Sequence, residues 1–305
     1  MRLTTFIDKG KFYKANLHGH STRSDGSLTQ EAAVLAYKNK GYDFLALTEH
    51  NVITKLDKYN TDSFILIPGM ELHTYNKDIT TIHHMVGLSD MDNDFIKDGT
   101  VLENIVYTEN KTSLLALEKR LHDLGFLTIY CHPTWSHVNT SQFDFLEHTN
   151  MMEVCNYGTI WEMSHNEDPT YWDDWLKQGK QIYGVANDDE HVIEQYFGGW
   201  NMVKCEEFSI KSLFESLKKG SFYSTMGPRI DDFYVEDGIA HIECSNVKEI
   251  TFVVHGWWGH TFRDKEGMLN KADFSLPDRA YIVRAEITDS DGNVAWTNPI
   301  MLPRN

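Results

Sequence analysis

Ala15-Asn16-Leu17-His18-Gly19-His20-Ser21-Thr22-Arg23-Ser24-Asp25-Gly26 is the run of residues from which the fold of this chain can be worked out. If residues 13 to 20 form a strand, positions two apart point to the same face, so His18 and His20 bring two imidazoles to one spot. Convergent imidazoles suggest a metal. The 15 histidines in 305 residues would produce about 0.7 such pairs by chance, so the pair needs support from elsewhere in the chain.

Outward from that stretch the first 230 residues alternate strands with helices. Ser27-Leu28-Thr29-Gln30 has the form of a capping box, residues 32–37 are good helix formers, and Gly41 can end the helix. Residues 43–48 then make an apolar run of strand length, which completes a βαβ unit and implies parallel strands. Further apolar runs at 64–70, 83–88, 127–131, 151–155 and 182–186 bring the candidate strands to seven. Residues 113–124 and 210–219 carry helical spacing and end at Gly125 and Gly220. A doubly wound sheet or a barrel is indicated.

The character changes at Gly227-Pro228. Residues 230–235, 239–244, 249–254, 280–287 and 295–302 are short alternating runs, and Asp291-Gly292 is a hairpin signal, so residues 229–305 read as a small all-β, sandwich-like domain after a domain of residues 1–228. Trp257 and Trp258 within it suit packing against the larger domain.

Composition narrows the function. A net charge of −17 argues against a nucleic-acid polymer as partner, because phosphate contacts need clustered Lys and Arg. No run is apolar enough for a signal peptide or a membrane span, and the four cysteines show neither Cys-x-x-Cys spacing nor a disulfide framework. A cytoplasmic location with no membrane partner is the expectation.

Histidines and acids recur where the candidate strands end. Glu49 and His50 follow the second, Glu71 the third and His132 the fifth; Asp189 and His191 follow the last, and His84 lies in the fourth. Loops at the carboxyl ends of parallel strands converge on one mouth, so the scattered residues can form one cluster. The segments Asn16 to Gly26, Leu47-Thr48-Glu49-His50-Asn51, Gly69-Met70-Glu71, His84-Met85-Val86-Gly87, Cys131-His132-Pro133 and Asp189-Glu190-His191 resemble, in order and spacing, the PHP (polymerase and histidinol phosphatase) family of metal-dependent phosphoesterases. The resemblance implies a distorted (β/α)7 barrel with two or three divalent metals, manganese, zinc or iron, at its mouth. The metal ligands it implies are His18, His20, Asp25, His50, Glu71, His84, His132, Asp189 and His191, with Glu71 bridging and with Asp25, His50, Glu71, Asp189 and His191 at the reacting centre. The family's spacing selects His84 over His83 and Asp189 over Asp188. Where the family has Thr-Asp-His this chain has Thr48-Glu49-His50, and Glu49 is expected to support a ligand through its longer reach.

The activity implied is hydrolysis of a small phosphorylated substrate by metal-activated water, which needs no Ser or Cys nucleophile. Arg23 and Arg229 are the candidate phosphate-binding cations. Two alternatives keep the metals: hydrolysis of a carboxylic or carbamate ester, and metal or carbohydrate binding without turnover.

Overall fold

The first strand, β1 (Lys11–Asn16), is followed by α1 (Gln30–Asn39), whose N-terminus is capped by the Thr29 side chain accepting from the Ala32 amide, so the cap falls two residues after the Ser27 that the sequence pattern offered. β2 (Phe44–Ala46) lies parallel to β1, completing the expected βαβ unit. The third apolar run divides at Pro68 into β3 (Ile65–Ile67), parallel to β2, and β4 (Gly69–Tyr75). Proline has no amide to donate to a ladder, and the chain changes sheets there. The structure, a computed structural model, describes residues 2–76, 82–90, 95–164, 169–255 and 259–303; Trp257 and Trp258 lie outside the described residues.

β5 (His84–Leu88) runs antiparallel to β4, so not every strand of this half is parallel. Residues 76–83 are too few for a crossover helix, and a hairpin-type return is what so short a connection permits. Next come β6 (Ile105–Val106), α2 (Asn110–Asp123), β7 (Leu127–Tyr130), β8 (Met151–Asn156), α3 (Tyr157–Met163), α4 (Thr170–Lys177) and β9 (Tyr183–Asn187). They build a six-stranded sheet in the order β6-β4-β5-β7-β8-β9. α4 buries Trp172, Trp175 and Leu176, a spacing of three and four that puts all three on one helical face.

β10 (Trp200–Cys205) returns antiparallel to β1, α5 (Ile210–Lys219) ends on Gly220 in the left-handed region (φ +69°), and β11 (Phe222–Thr225) pairs with β10. Tyr13, Ala15 and Phe44 of one sheet and Val86, Ile129 and Val185 of the other share one buried cluster, which α5 covers with Leu213 and Leu217. The seven expected strands are present as ladders of two sheets facing one core.

Beyond Gly227-Pro228 come β12 (Ile230–Glu236), β13 (Ile239–Val247), β14 (Glu249–His255), β15 (His260–Arg263), β16 (Leu269–Ser275), β17 (Ile282–Thr288), β18 (Val294–Thr297) and β19 (Ile300–Met301). β12, β13 and β16 form a three-stranded sheet. The others join the sheet of β1, because β18 pairs with β11. Phe233, Ile242, Phe252 and Ile287 fill the space between these two layers.

Arg284 of β17 ties the C-terminal strands to α4. It is 1 % exposed and donates to both carboxylate oxygens of Asp173 (2.8 and 2.7 Å) and to Glu286 (2.6 Å). Burial alone would raise the Asp173 carboxyl, but the approach of His255 Nε2 (3.2 Å) and the charge and hydrogen bonds of Arg284 bring it down to about 2. Removing the cation strands two carboxylates. Arg284→Ala is therefore expected to destabilise the chain by about 3–5 kcal/mol, read from urea unfolding, with Arg284→Met costing less because it keeps the volume; a loss under about 1 kcal/mol would show the pair to be dispensable.

Candidate metal centre

β1 stops at Asn16, four residues short of the strand that the sequence suggested, so His18 and His20 are carried by the loop that follows it. Side chains hold that loop in place. The Leu17 amide donates to Asn187 Oδ1 (3.1 Å), and Asn16 Nδ2 donates to the His18 carbonyl (2.8 Å). Gly19 passes against a buried carboxyl: a Cβ there would sit 2.6 Å from both oxygens of Glu190. The two imidazoles still converge, with Nε2 atoms 3.3 Å apart.

At the centre stands Glu71 of β4, 1 % exposed. Its Oε1 lies 2.8 Å from His84 Nδ1 and 3.4 Å from both His18 Nε2 and His132 Nε2; its Oε2 lies 2.9 Å from His50 Nδ1 and 3.4 Å from His20 Nε2. Asp189 Oδ1 stands 3.0 Å from His20 Nε2, 3.2 Å from His18 Nε2 and 3.9 Å from His191 Nδ1. Asp25, half exposed at the mouth, lies 3.3 Å from His50 Nε2 and 3.4 Å from His191 Nε2. All nine residues named from the sequence thus meet at one cavity of about 300 Å³ or in its floor.

The two adjacent pairs, His83 with His84 and Asp188 with Asp189, face opposite ways. His83 turns away, bonded to Tyr130 Oη and Asn110 Oδ1 (2.7 Å each), while His84 faces Glu71. Asp188 points into the protein, accepting from Tyr37 Oη (2.8 Å) and the amides of Phe197, Gly198 and Gly199; burial holds its carboxyl up at about 6. Glu49 is buried and takes the amides of Ser21 and Ser24 (3.1 Å each) together with both their hydroxyls, so the longer side chain fastens the loop that carries Asp25. Asp189 (φ +49°) and His132 (φ +28°) both sit in the left-handed region, a strain of about 1–3 kcal/mol each that the surrounding bonds sustain.

Besides the Nδ1 atoms of His50 and His84, which face Glu71, four imidazoles of the cluster rest their Nδ1 on a supporting group, His132 on the Ser136 hydroxyl (3.4 Å). His18 Nδ1 meets Glu153 Oε1 (2.8 Å), His191 Nδ1 the Asp189 carbonyl (3.1 Å), and His20 Nδ1 the Ser24 hydroxyl (3.3 Å), whose own proton goes to Glu49. Each partner accepts the Nδ1 proton and leaves the Nε2 lone pair for the cavity. Glu153 of β8 is fully buried, and it also takes Asn187 Nδ2, Asn156 Nδ2 and the His132 amide. The sequence reading passed over Glu153 and Asn156, which touch their partners across 135 and 33 residues (Glu153 to His18, Asn156 to Asp189) and leave no local pattern. It also passed over Trp135, Thr159 and Glu162, which line the cavity.

The two candidate arginines are placed elsewhere. Arg23 is held by Asp98 through two hydrogen bonds (2.6 and 3.2 Å), and Arg229, exposed in the C-terminal half, is paired with Asp231 (2.6 Å). Neither is among the described residues lining the cavity. Cys131 lies beside His18 and Glu71, and burial pushes its thiol well up, away from thiolate.

Charge in the cluster is strongly coupled. Burial would depress His50 and His191, but Glu71 and Asp25 hold the first at about 10, and Asp25 with Asp189 holds the second at about 9. Burial dominates at His84, which falls to about 3 despite Glu71. Burial would raise Glu71, yet His84, His18 and His50 keep its carboxyl well below the usual range. Glu71 Oε2, Asp189 Oδ1 and His50 Nδ1 are buried without a hydrogen-bond partner among the described residues. Four sets of ligand atoms lie within 4.8 Å of one another among the described residues: His20-Asp25-His50-His191, His18-His20-Asp189, His50-Glu71-His84 and His18-Glu71-Cys131. Orphaned acceptors and imidazole nitrogens at this spacing fit divalent cations with oxygen and nitrogen preference, whose binding would displace the imidazole protons that the carboxylates otherwise hold.

No protein-family model matches the chain, and no curated protein matches it. Among solved structures, a two-domain protein from Bacteroides vulgatus, described as containing a predicted PHP-like metal-dependent phosphoesterase, is 16 % identical with a TM-score of 0.51 over 97 % of each chain. A lesion-specific endonuclease from Pyrococcus furiosus is 14 % identical (TM-score 0.45, 68 % of this chain and 56 % of that one). An amidohydrolase from Chromobacterium violaceum with bound sulfate and no metal is also 14 % identical (TM-score 0.41, 59 % of this chain and 88 % of that one). Over nearly its whole length, this chain shares the fold of the PHP-like two-domain protein.

Proposed function

We propose that the chain is a metal-dependent hydrolase of small phosphate esters, with two or three manganese, zinc or iron ions held by the nine residues of the cluster. The carrying observation is the convergence of six imidazoles around the three carboxylates of Asp25, Glu71 and Asp189, with buried acceptor atoms that no donor among the described residues satisfies. Bound there, the ions would polarise the phosphoryl oxygens and lower the pKa of a water. In the reaction water adds to phosphorus, the bond from phosphorus to the alcohol oxygen breaks, and a proton ends on the departing alcohol. Glu71 stands where one carboxylate can bridge two sites. Glu153 fixes the tautomer of His18, and Glu49 fixes the position of Asp25's loop. The same reading takes the two sheets as sides of one distorted (β/α)7 barrel, with a second domain from residue 229. It also places the chain in the cytoplasm, in keeping with four buried cysteines that form no disulfide.

A second reading, hydrolysis of carboxylic or carbamate esters, is favoured by one observation: among the described residues no Lys or Arg lines the cavity. Parallel assays of metal-loaded protein on p-nitrophenyl phosphate and p-nitrophenyl acetate separate the two. Brisk acetate cleavage with the phosphate left intact would exclude the first.

Elemental analysis is expected to find at least two equivalents of a divalent transition metal per chain after loading with manganese, and chelation should lower the melting temperature, since ligands that bind only the native state stabilise it. Less than one equivalent would defeat the metal assignment. His132→Ala and Asp189→Asn should abolish turnover while unfolding stays cooperative, because neither side chain belongs to the apolar core and asparagine tolerates the left-handed backbone at 189. Glu153→Gln should weaken metal binding by roughly 10–100-fold, measured by competition with a chelating dye, because it frees the His18 ring.

A further inference from the structure

Beyond the ligand cluster, the cavity wall consists of Trp135, Gly158, Thr159 and Glu162. Trp135, 36 % exposed, packs edge-on against His132 (ring centroids 5.0 Å apart, planes at 73°), and its Nε1 donates to Glu162 Oε2 (3.2 Å). The other oxygen, Glu162 Oε1, accepts from Gln195 Nε2 (3.2 Å). Gln195 Oε1 in turn takes the amides of His191 (2.6 Å) and Val192 (3.0 Å), so the wall is fastened to the loop that carries a ligand.

A carboxylate accepts about four hydrogen bonds, two on each oxygen. Glu162 has one taken on each oxygen by a neutral donor, which leaves two lone pairs side by side. That is the acceptor pattern for two neighbouring hydroxyls, and an indole next to it offers a surface for the C–H face of a sugar ring. A second anionic group on the substrate would meet the Glu162 charge with no described lysine or arginine in the wall to offset it.

We propose that Trp135 and Glu162 form the leaving-group subsite of this cavity, and that Glu162 selects phosphate esters of sugar-like alcohols carrying a vicinal diol. The proposal rests on the phosphoesterase reading above. Its two residues touch the alcohol half of the ester; the phosphoryl half belongs to the ligand cluster.

The test compares ribose 5-phosphate with 2-deoxyribose 5-phosphate on the manganese-loaded full chain, with p-nitrophenyl phosphate as a diol-free ester. The native chain is expected to prefer the ribose ester by at least tenfold in kcat/KM, because a group built to accept from a hydroxyl rejects the analogue lacking it. Glu162→Gln keeps an acceptor for Trp135 Nε1 but loses one of the paired acceptors, and should narrow the preference to about threefold or less, mainly through KM for the ribose ester. A native ratio near one overturns the subsite. So does a Glu162→Gln variant that slows both sugar esters alike and leaves the ratio unchanged, the signature of a structural role. Failure to cleave any of the three, p-nitrophenyl phosphate included, overturns the phosphoesterase reading itself and the subsite with it, and is distinguished by that third substrate.

Discussion

Five imidazoles lie within hydrogen-bonding or near-contact distance of one carboxylate, that of Glu71, inside a protein core. A buried charge of this kind is costly unless it is paired, so the elements that surround it are constrained to deliver partners to one point. The break at Pro68 serves this constraint. It ends β3 and starts β4 two residues before Glu71, which turns the acid out of the sheet of His18 and into the sheet of His84 and His132. The cluster is thus assembled from two sheets, and Glu71 is where they meet.

Around that point the supporting side chains act on orientation. Glu153 and the Asp189 carbonyl select which imidazole nitrogen carries the proton, and Ser24, itself tied to Glu49, does the same for His20. The left-handed backbones of His132 and Asp189 are a further sign of over-determined geometry, since nothing in an isolated peptide would keep a histidine there.

Much of this was legible in the residues. The family resemblance carried by six short motifs names all nine cluster residues, and turn and cap residues mark helix ends well: α5 runs over the 210–219 expected from its pattern and stops at Gly220. What the pattern could not carry were contacts between distant residues and changes of strand direction. β4 and β5 read as two apolar runs whether they are parallel or antiparallel, and only the shortness of the link between them hints at the answer. Arg23 and Arg229 looked available by position; Arg23 is paired with Asp98, 75 residues away, which no local pattern shows, and Arg229 with Asp231, two residues along the chain. α4 was missed although Trp172, Trp175 and Leu176 show helical spacing, because a short segment with two tryptophans fits a strand's composition equally well.

The pairing of β11 with β18 has a mechanical side. The chain changes composition at Gly227-Pro228, yet the hydrogen-bonded sheet runs through that seam from β3 beneath α1 to β15 at the far edge. A seam crossed by a ladder cannot work as a hinge: the C-terminal strands can twist with the sheet or shear along it, but they cannot swing free of it. They therefore stiffen the strands behind His18 and His20 much as a flange stiffens a beam, so any opening motion at the mouth must come from the loops.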